Sequence, residues 1–229
     1  MSASKEVGED DKPFLLHYPN LDDPEGIVVF SNDYVVLQRL IVGPGEWEGV
    51  HSHPGNQVYV HIHGGEWTGR LGDQYEYFEE ISPDGEVGWM DAIPIEVEHD
   101  SGNTGDTPID LIYVTLKTDA PIAPDANHAR QQYPCVPLRL EIENDRIIVQ
   151  RGFVEPGRWT GVHAHPGNQV YIQINGGHWS KRRNGGPVTP AEYIHAGGVC
   201  WIDAVGANAG HEFGNTGAET IEFVLVTIK

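Results

Sequence analysis

Thiols are scarce in this chain: Cys135 and Cys200 are the two cysteines among 229 residues, and neither has a Cys-x-x-Cys neighbour. That excludes a disulfide framework and a thiolate zinc site, and it fits a reducing, cytoplasmic setting. Positive charge is scarce as well, with 14 Lys and Arg against 34 Asp and Glu and a formal net charge of -20. Basic residues gather only at Lys181-Arg182-Arg183, so no phosphate-binding surface is present, and nucleic acid or an anionic membrane is excluded as a partner. Long apolar runs are missing too. Stretches such as Tyr34 to Leu37 and Phe223 to Val226 fall far short of the roughly 20 residues a helix needs to cross a bilayer. Residues 1–12 are acidic and polar, without the apolar core of a signal peptide, and read as a disordered leader.

Glycine (28), proline (16) and histidine (12) are plentiful, and the histidines cluster. The segment from Val42 to Tyr59 recurs from Val154 to Tyr171 at an offset of 112 residues, the distance from His51 to His163. The offset holds to the ends of both copies: Trp89 and Asp91 meet Trp201 and Asp203, His99 meets His211, and Lys117 meets Lys229. So long a period is a duplicated domain and not a solenoid, whose units run to about 20–50 residues. The four prolines between Thr118 and Pro137 mark a linker, giving a leader over 1–12, one domain over 13–117, a linker over 118–137 and a second domain over 138–229. Each copy contains short β-rich segments separated by Pro-Gly, Gly-Gly, Asp-Gly and Asn-Thr-Gly turns, with no convincing helical period. The expected fold is all-β, a sandwich or barrel made twice.

Each copy carries a His-x-His pair, His51/His53 and His163/His165, ahead of a Pro-Gly-Asn turn. Residues two apart in an extended segment face the same way, so both imidazoles project together, as metal ligands must. Gln57 or Gln169 follows the turn, and a further histidine, His99 or His211, precedes Gly-Asn-Thr-Gly. Three converging imidazoles suit Fe, Zn, Ni, Mn or Cu. One His-x-His in a His-rich chain can be chance; two in register, each with a third histidine at the same distance, point to a metal.

These residues resemble the two motifs of the cupin superfamily. The first appears as Gly45, His51, His53, Gln57 and Gly64, and again as Gly157, His163, His165, Gln169 and Gly176, with Gln in both copies where the family has Glu. The second appears as Gly88, Pro94, Glu96, His99 and Asn103, and more loosely as Cys200, Gly206, Asn208, His211 and Asn215. The resemblance covers nearly everything after the leader. It implies two tandem double-stranded β-helix (jelly-roll) barrels, each holding one divalent metal on three histidines.

The Gln removes a negative charge from that ligand set. Either it binds the metal in place of Glu, or it stands back and hydrogen-bonds a metal-bound water; both leave the site in want of an anionic ligand. If Gln57 faces inward, alternation turns Tyr59, His61 and His63 inward with it, and Tyr171, Gln173 and Asn175 in the second copy. The opposite face, Val58, Val60 and Ile62 or Val170, Ile172 and Ile174, is then expected to pack on the partner copy or on a second chain as a homodimer. The reverse register would fill the barrels with these aliphatics and take the Gln off the metal. Trp47, Trp159, Trp67 and Trp179 are expected in barrel packing, while Asp91 and Asp203 serve either a ligand histidine or a turn.

By resemblance, three-His iron sites include dioxygenases whose substrate chelates the metal as an anion beside dioxygen. The chain is therefore expected to be an Fe(II) dioxygenase for a small, anionic, chelating organic substrate. His51, His53, His99, His163, His165 and His211 would hold iron, Gln57 and Gln169 would tune or bind it, and Tyr59, His61 and Tyr171 would contact substrate. Two alternatives stay open: a non-redox isomerase, lyase or hydrolase using Zn, Mn or Ni, and a non-enzymatic binding module.

Overall fold

The computed structural model describes residues 8–117, 129–183, 185–204 and 210–229. The chain divides into two compact units, with the boundary between Pro121 and Ile122. The first contains β1 (Ile27–Ser31), β2 (Val35–Val42), β3 (Gln57–His63), β4 (Gly65–Leu71), β5 (Gln74–Ser82), β6 (Val87–Met90), β7 (His99–Asn103) and β8 (Ile109–Leu116). The second contains β9 (Leu138–Glu143), β10 (Ile147–Val154), β11 (Gln169–Gln173), β12 (Gly177–Arg183), β13 (Glu192–Ile194), β14 (Val199–Ile202), β15 (His211–Asn215) and β16 (Ile221–Ile228). No helix among the described residues is long and apolar enough to cross a membrane.

The repeat in sequence is a repeat in topology. The larger sheets run β1-β2-β8-β3-β6 and β9-β10-β16-β11-β14, the smaller ones β5-β4-β7 and β13-β12-β15, with every ladder among the described residues antiparallel. β-Branched residues dominate the central strands because their stiff side chains suit a pleat covered on both faces. Val42 and Val154 end β2 and β10 at a Gly-Pro-Gly or Glu-Pro-Gly turn, where Gly45 and Gly157 sit at φ +77° and +75°. Those values cost a residue with a Cβ but not glycine. The Asn of each Gly-Asn-Thr-Gly closes the next corner: Asn103 Nδ2 donates to the carbonyls of Val42 and Thr107, and Asn215 Nδ2 to those of Val154 and Glu219.

Side chains facing the smaller sheet form the core of each unit, Leu40, Val42, Ile109, Leu111 and Trp67 in the first and Val154, Ile221, Phe223, Leu225 and Trp179 in the second. Burying each such side chain contributes about 1.5–3 kcal/mol. Val58, Val60, Val170 and Ile172 on the other face are also buried within the single chain. Trp67 and Trp179 belong to these cores as expected, whereas Trp47 and Trp159 lie beneath the guanidinium groups of Arg70 and Arg182 at 4.0 and 4.4 Å.

The expected disordered leader and the expected linker differ from expectation where they are described. Residues 1–7 and 118–128 lie outside the described residues. Glu9–Phe14 form a short 3-10 helix whose buried Asp11 pairs with Lys117 at 2.6 Å. The end of the expected linker is a packed strap of the second unit. Gln131 N donates to Gln150 Oε1 at 2.7 Å, Val136 enters the core, and the Tyr133 ring lies 4.3 Å from that of His163. An equivalent strap opens the first unit, where Leu16 N donates to Gln38 Oε1 at 2.8 Å and Tyr18 lies 4.6 Å from His51. Extended straps have no helical or alternating period, so proline content alone misreads them.

Candidate metal centres

The His-x-His segments are extended chain tied to the third histidine by the backbone. His51 N donates to His99 O at 2.9 Å and His163 N to His211 O at 3.0 Å, which brings the three rings of each unit into one cluster. The tight approach follows a glycine at φ +80° in each copy, Gly49 and Gly161. Within each triad, His51, His53 and His99 or His163, His165 and His211, one ring nitrogen per residue lies within 4.8 Å of the others.

The far sides of the rings fix what the near sides offer. His51 Nδ1 donates to the Gly49 carbonyl at 2.8 Å and His163 Nδ1 to the Gly161 carbonyl at 2.8 Å. His53 Nδ1 donates to Gln57 Oε1 at 2.7 Å, whose Nε2 donates in turn to Thr115 Oγ1 at 2.8 Å. His165, Gln169 and Thr227 repeat this relay at 2.8 and 3.0 Å. A neutral imidazole with its proton on Nδ1 presents a bare lone pair at Nε2. The Nε2 atoms of His51 and His53 stand 3.0 Å apart, and those of His165 and His211 stand 2.9 Å apart. For the first pair, two lone pairs so placed repel and cannot bond each other, whereas nitrogens at about 2.0–2.1 Å from one cation come into this range. His163 Nε2 is buried with no hydrogen-bond partner among the described residues. The donor set therefore fits a divalent metal in each unit.

Gln57 and Gln169 thus stand behind their histidines with both polar ends engaged, not beside the rings as ligands. They orient His53 and His165, a device that fixes tautomer and ring direction in metal sites. Burial lowers His51 to about 4, His53 to about 3, and His163 and His165 to about 4. These groups bind protons more weakly folded than unfolded, so the stability they contribute is fully present above about pH 6.5 and is lost as the pH falls through the folded values. The chelator-treated protein is expected to lose melting temperature steeply between pH 6.5 and 4; a flat profile across that window, followed by calorimetry, would contradict the buried neutral triads.

The other sequence candidates are sorted unevenly. Tyr59 and His61 line a cavity of about 170 Å³ in the first unit together with His99, and Tyr171 lines one of about 120 Å³ in the second. His61 is buried, its Nδ1 without a hydrogen-bond partner among the described residues, while the Tyr171 hydroxyl donates to Gln173 Oε1, which also receives Trp179 Nε1 at 2.9 Å. His63 is exposed and pairs with Asp84 at 3.0 Å, because the β3–β8 register slips between His61 and His63 and breaks the alternation. Asn175 is exposed likewise, holding the Thr220 carbonyl. Asp91 and Asp203 accept from Trp89 and Trp201 Nε1 at 2.9 and 2.8 Å, so they secure their own turns and touch no ligand histidine.

Sequence reasoning missed Glu48. Its side chain is fully buried beside the first triad, Oε2 lies 3.7 Å from His51 Nε2 and accepts from Ser101 Oγ, and Oε1 has no hydrogen-bond partner among the described residues. Burial raises its pKa to about 8, with the Asp100 charge adding and the Ser101 hydroxyl opposing. The same register places Thr160 and Phe213 at these two positions in the second unit, where Thr160 Oγ1 lies 3.4 Å from His163 Nδ1. The signal was a mismatch inside an otherwise repeated motif.

Two antiparallel sheets closing around three inward histidines, made twice, define a duplicated metal-binding β-barrel. No family model matches the chain, and no curated protein matches it in sequence. Solved structures do. The chain is similar to a cupin 2 conserved barrel domain protein from Leptotrichia buccalis (12% identity, 89% of this chain and 88% of that one, TM-score 0.51). It is similar to AerE from Microcystis aeruginosa (13%, 95% and 99%, TM-score 0.64) and to the salicylate 1,2-dioxygenase from Pseudoaminobacter salicylatoxidans (10%, 90% and 75%, TM-score 0.58). The chain has the cupin fold, in two tandem copies.

Proposed function

We propose that this protein is a mononuclear Fe(II) dioxygenase acting on a small organic anion able to chelate the metal. The observation that carries the reading is the neutral ligand set. In the second unit three imidazoles face one point, and the residue where cupins supply a carboxylate, Gln169, is turned to His165. Such a set leaves the dipositive charge of the metal uncompensated by the side chains around it, so an anionic chelate is favoured as substrate. The salicylate dioxygenase, similar in fold, is named for a substrate of that kind.

A bound iron would supply redox contact between substrate and dioxygen, both atoms of which end in the product. The chain supplies the rest. Gly49, Gly161, Gln57 and Gln169 hold the rings to one tautomer and one direction. Tyr171 with Phe223 and Tyr133 walls the second cavity with aromatic surface that excludes water from a reacting organic anion. In the first unit Tyr59 and His61 offer polar contacts at the equivalent level.

The test is oxygen consumption by iron-loaded protein on a panel of hydroxybenzoates and diketones. Uptake that depends on both substrate and iron is the expected result. Zinc, manganese or nickel activity without oxygen uptake would replace this reading with a non-redox lyase, isomerase or hydrolase.

A further inference from the structure

We infer that the two metal centres have different tasks: the second unit receives the anionic substrate through Lys181 and Arg183, and the first carries its own anion in Glu48. This deepens the function proposed above by assigning the substrate site to one of two similar triads.

In the β12–β15 ladder Arg183 lies opposite His211 and Lys181 opposite Phe213. Directly opposed residues share a face, as do residues two apart, so both cations stand on the face that carries the ligand histidine. With His165, His211 and Phe213 they line an open cleft of about 640 Å³. Neither takes part in an ion pair among the described residues. Arg182 between them faces the other way, bonded to Glu212 at 2.6 Å and lying over Trp159. Arg70 is its counterpart, bonded to Asp100 at 2.6 Å over Trp47. The duplicated arginine is thus structural in both units, while Lys181 and Arg183 are particular to the second.

The first unit has Gly69 and Leu71 at those ladder positions, opposite Ser101 and His99. Its charges near the triad are negative instead. Glu48 is buried against His51, its Oε1 without a hydrogen-bond partner among the described residues, and Glu76 Oε2 lies 3.7 Å from His99 Nδ1. A buried carboxylate without a cation is costly, so burial alone holds Glu48 toward its neutral form; the dication that the triad beside it would bind is what makes it an anion. A site so compensated repels a further anion, whereas one flanked by two cations that have no ion-pair partner among the described residues attracts it. This also answers how a chain of net charge -20 admits an anion, because Arg183 stands directly opposite the ligand His211, whereas the repulsion of the distant carboxylates is screened over about 8 Å.

The probe is azide titrated into Co(II)-loaded protein and followed by the visible spectrum, in native protein and in His51→Ala and His163→Ala, each retaining one triad. His51→Ala, with the second site alone, is expected to bind azide at least tenfold more tightly than His163→Ala. Lys181→Gln/Arg183→Gln should weaken the tight phase of native protein about tenfold and flatten its salt dependence, and Glu48→Gln should create a second tight phase. The last two variants keep both triads, so the test survives if an alanine variant does not fold. Equal azide affinity at the two sites, or no response to Lys181→Gln/Arg183→Gln and Glu48→Gln, would overturn the assignment. Azide binding needs no oxygen chemistry; a protein that behaves as described but consumes no oxygen would refute the dioxygenase alone.

Discussion

Replacing His53 by alanine is expected to abolish metal binding in the first unit and leave the second loaded, and replacing His165 should do the reverse. Each ring sits centrally in its triad, held by a glutamine on one side and presenting Nε2 to its neighbours on the other. Loss of an orienting partner behind a ligand typically costs 10–100-fold in metal affinity, and loss of the ligand costs more. Titration calorimetry with Co(II) should therefore show one remaining site in each single variant and none in the double variant. The independence of the effects matters as much as their size, since each triad lies within its own unit. If His53→Ala weakened both sites equally, the duplication would be a shared centre and not two.

Truncating Phe223 should produce the largest loss of stability away from the metals. This side chain is almost fully buried, stacks on Tyr171 at 5.3 Å, meets Trp179 at 6.2 Å and Tyr133 at 6.2 Å, and crosses the backbone of Gly152 so closely that a Cβ there would lie 2.3 Å from its ring. Phe223→Ala removes the common neighbour of three aromatics and leaves a void that the two sheets cannot close, at about 3–5 kcal/mol. For a protein of this size that corresponds to a fall in melting temperature of roughly 6–20 °C. Leu111, the equivalent residue in the first unit, is smaller, and Leu111→Ala should cost less, about 2–5 kcal/mol. A Phe223→Ala protein that melts within a degree or two of native, by circular dichroism, would mean that the aromatic cluster does not hold the second unit together.

What was legible in the sequence was whatever the duplication wrote twice. His51, His53, His99 and their partners at offset 112 lie together because they were repeated in register, and the Gly-Asn-Thr-Gly corners form because Asn103 and Asn215 bond the same carbonyls. Strict alternation carried the reading of β3 as far as His61 and failed at the bulge before His63, a local irregularity that no side-chain pattern announces. The role of Gln57 was visible only in three dimensions, since its choice between the metal and the histidine behind it depends on where Thr115, 58 residues away, places a hydroxyl. Glu48 escaped for the opposite reason, and Lys181 and Arg183 stood out as basic residues without being tied to a triad. They are not repeated, and a reading that weighs the copies by their likeness passes over the positions where their chemistry diverges.

Elemental analysis of protein purified without chelator bears most directly on the two metal centres. Two equivalents of a first-row divalent metal per 25.3 kDa chain, removed by chelator and restored by one added metal, is the result this structure leads us to expect. A chain that holds no exchangeable metal, and takes up none when iron, zinc, nickel, manganese and copper are offered in turn, would contradict it.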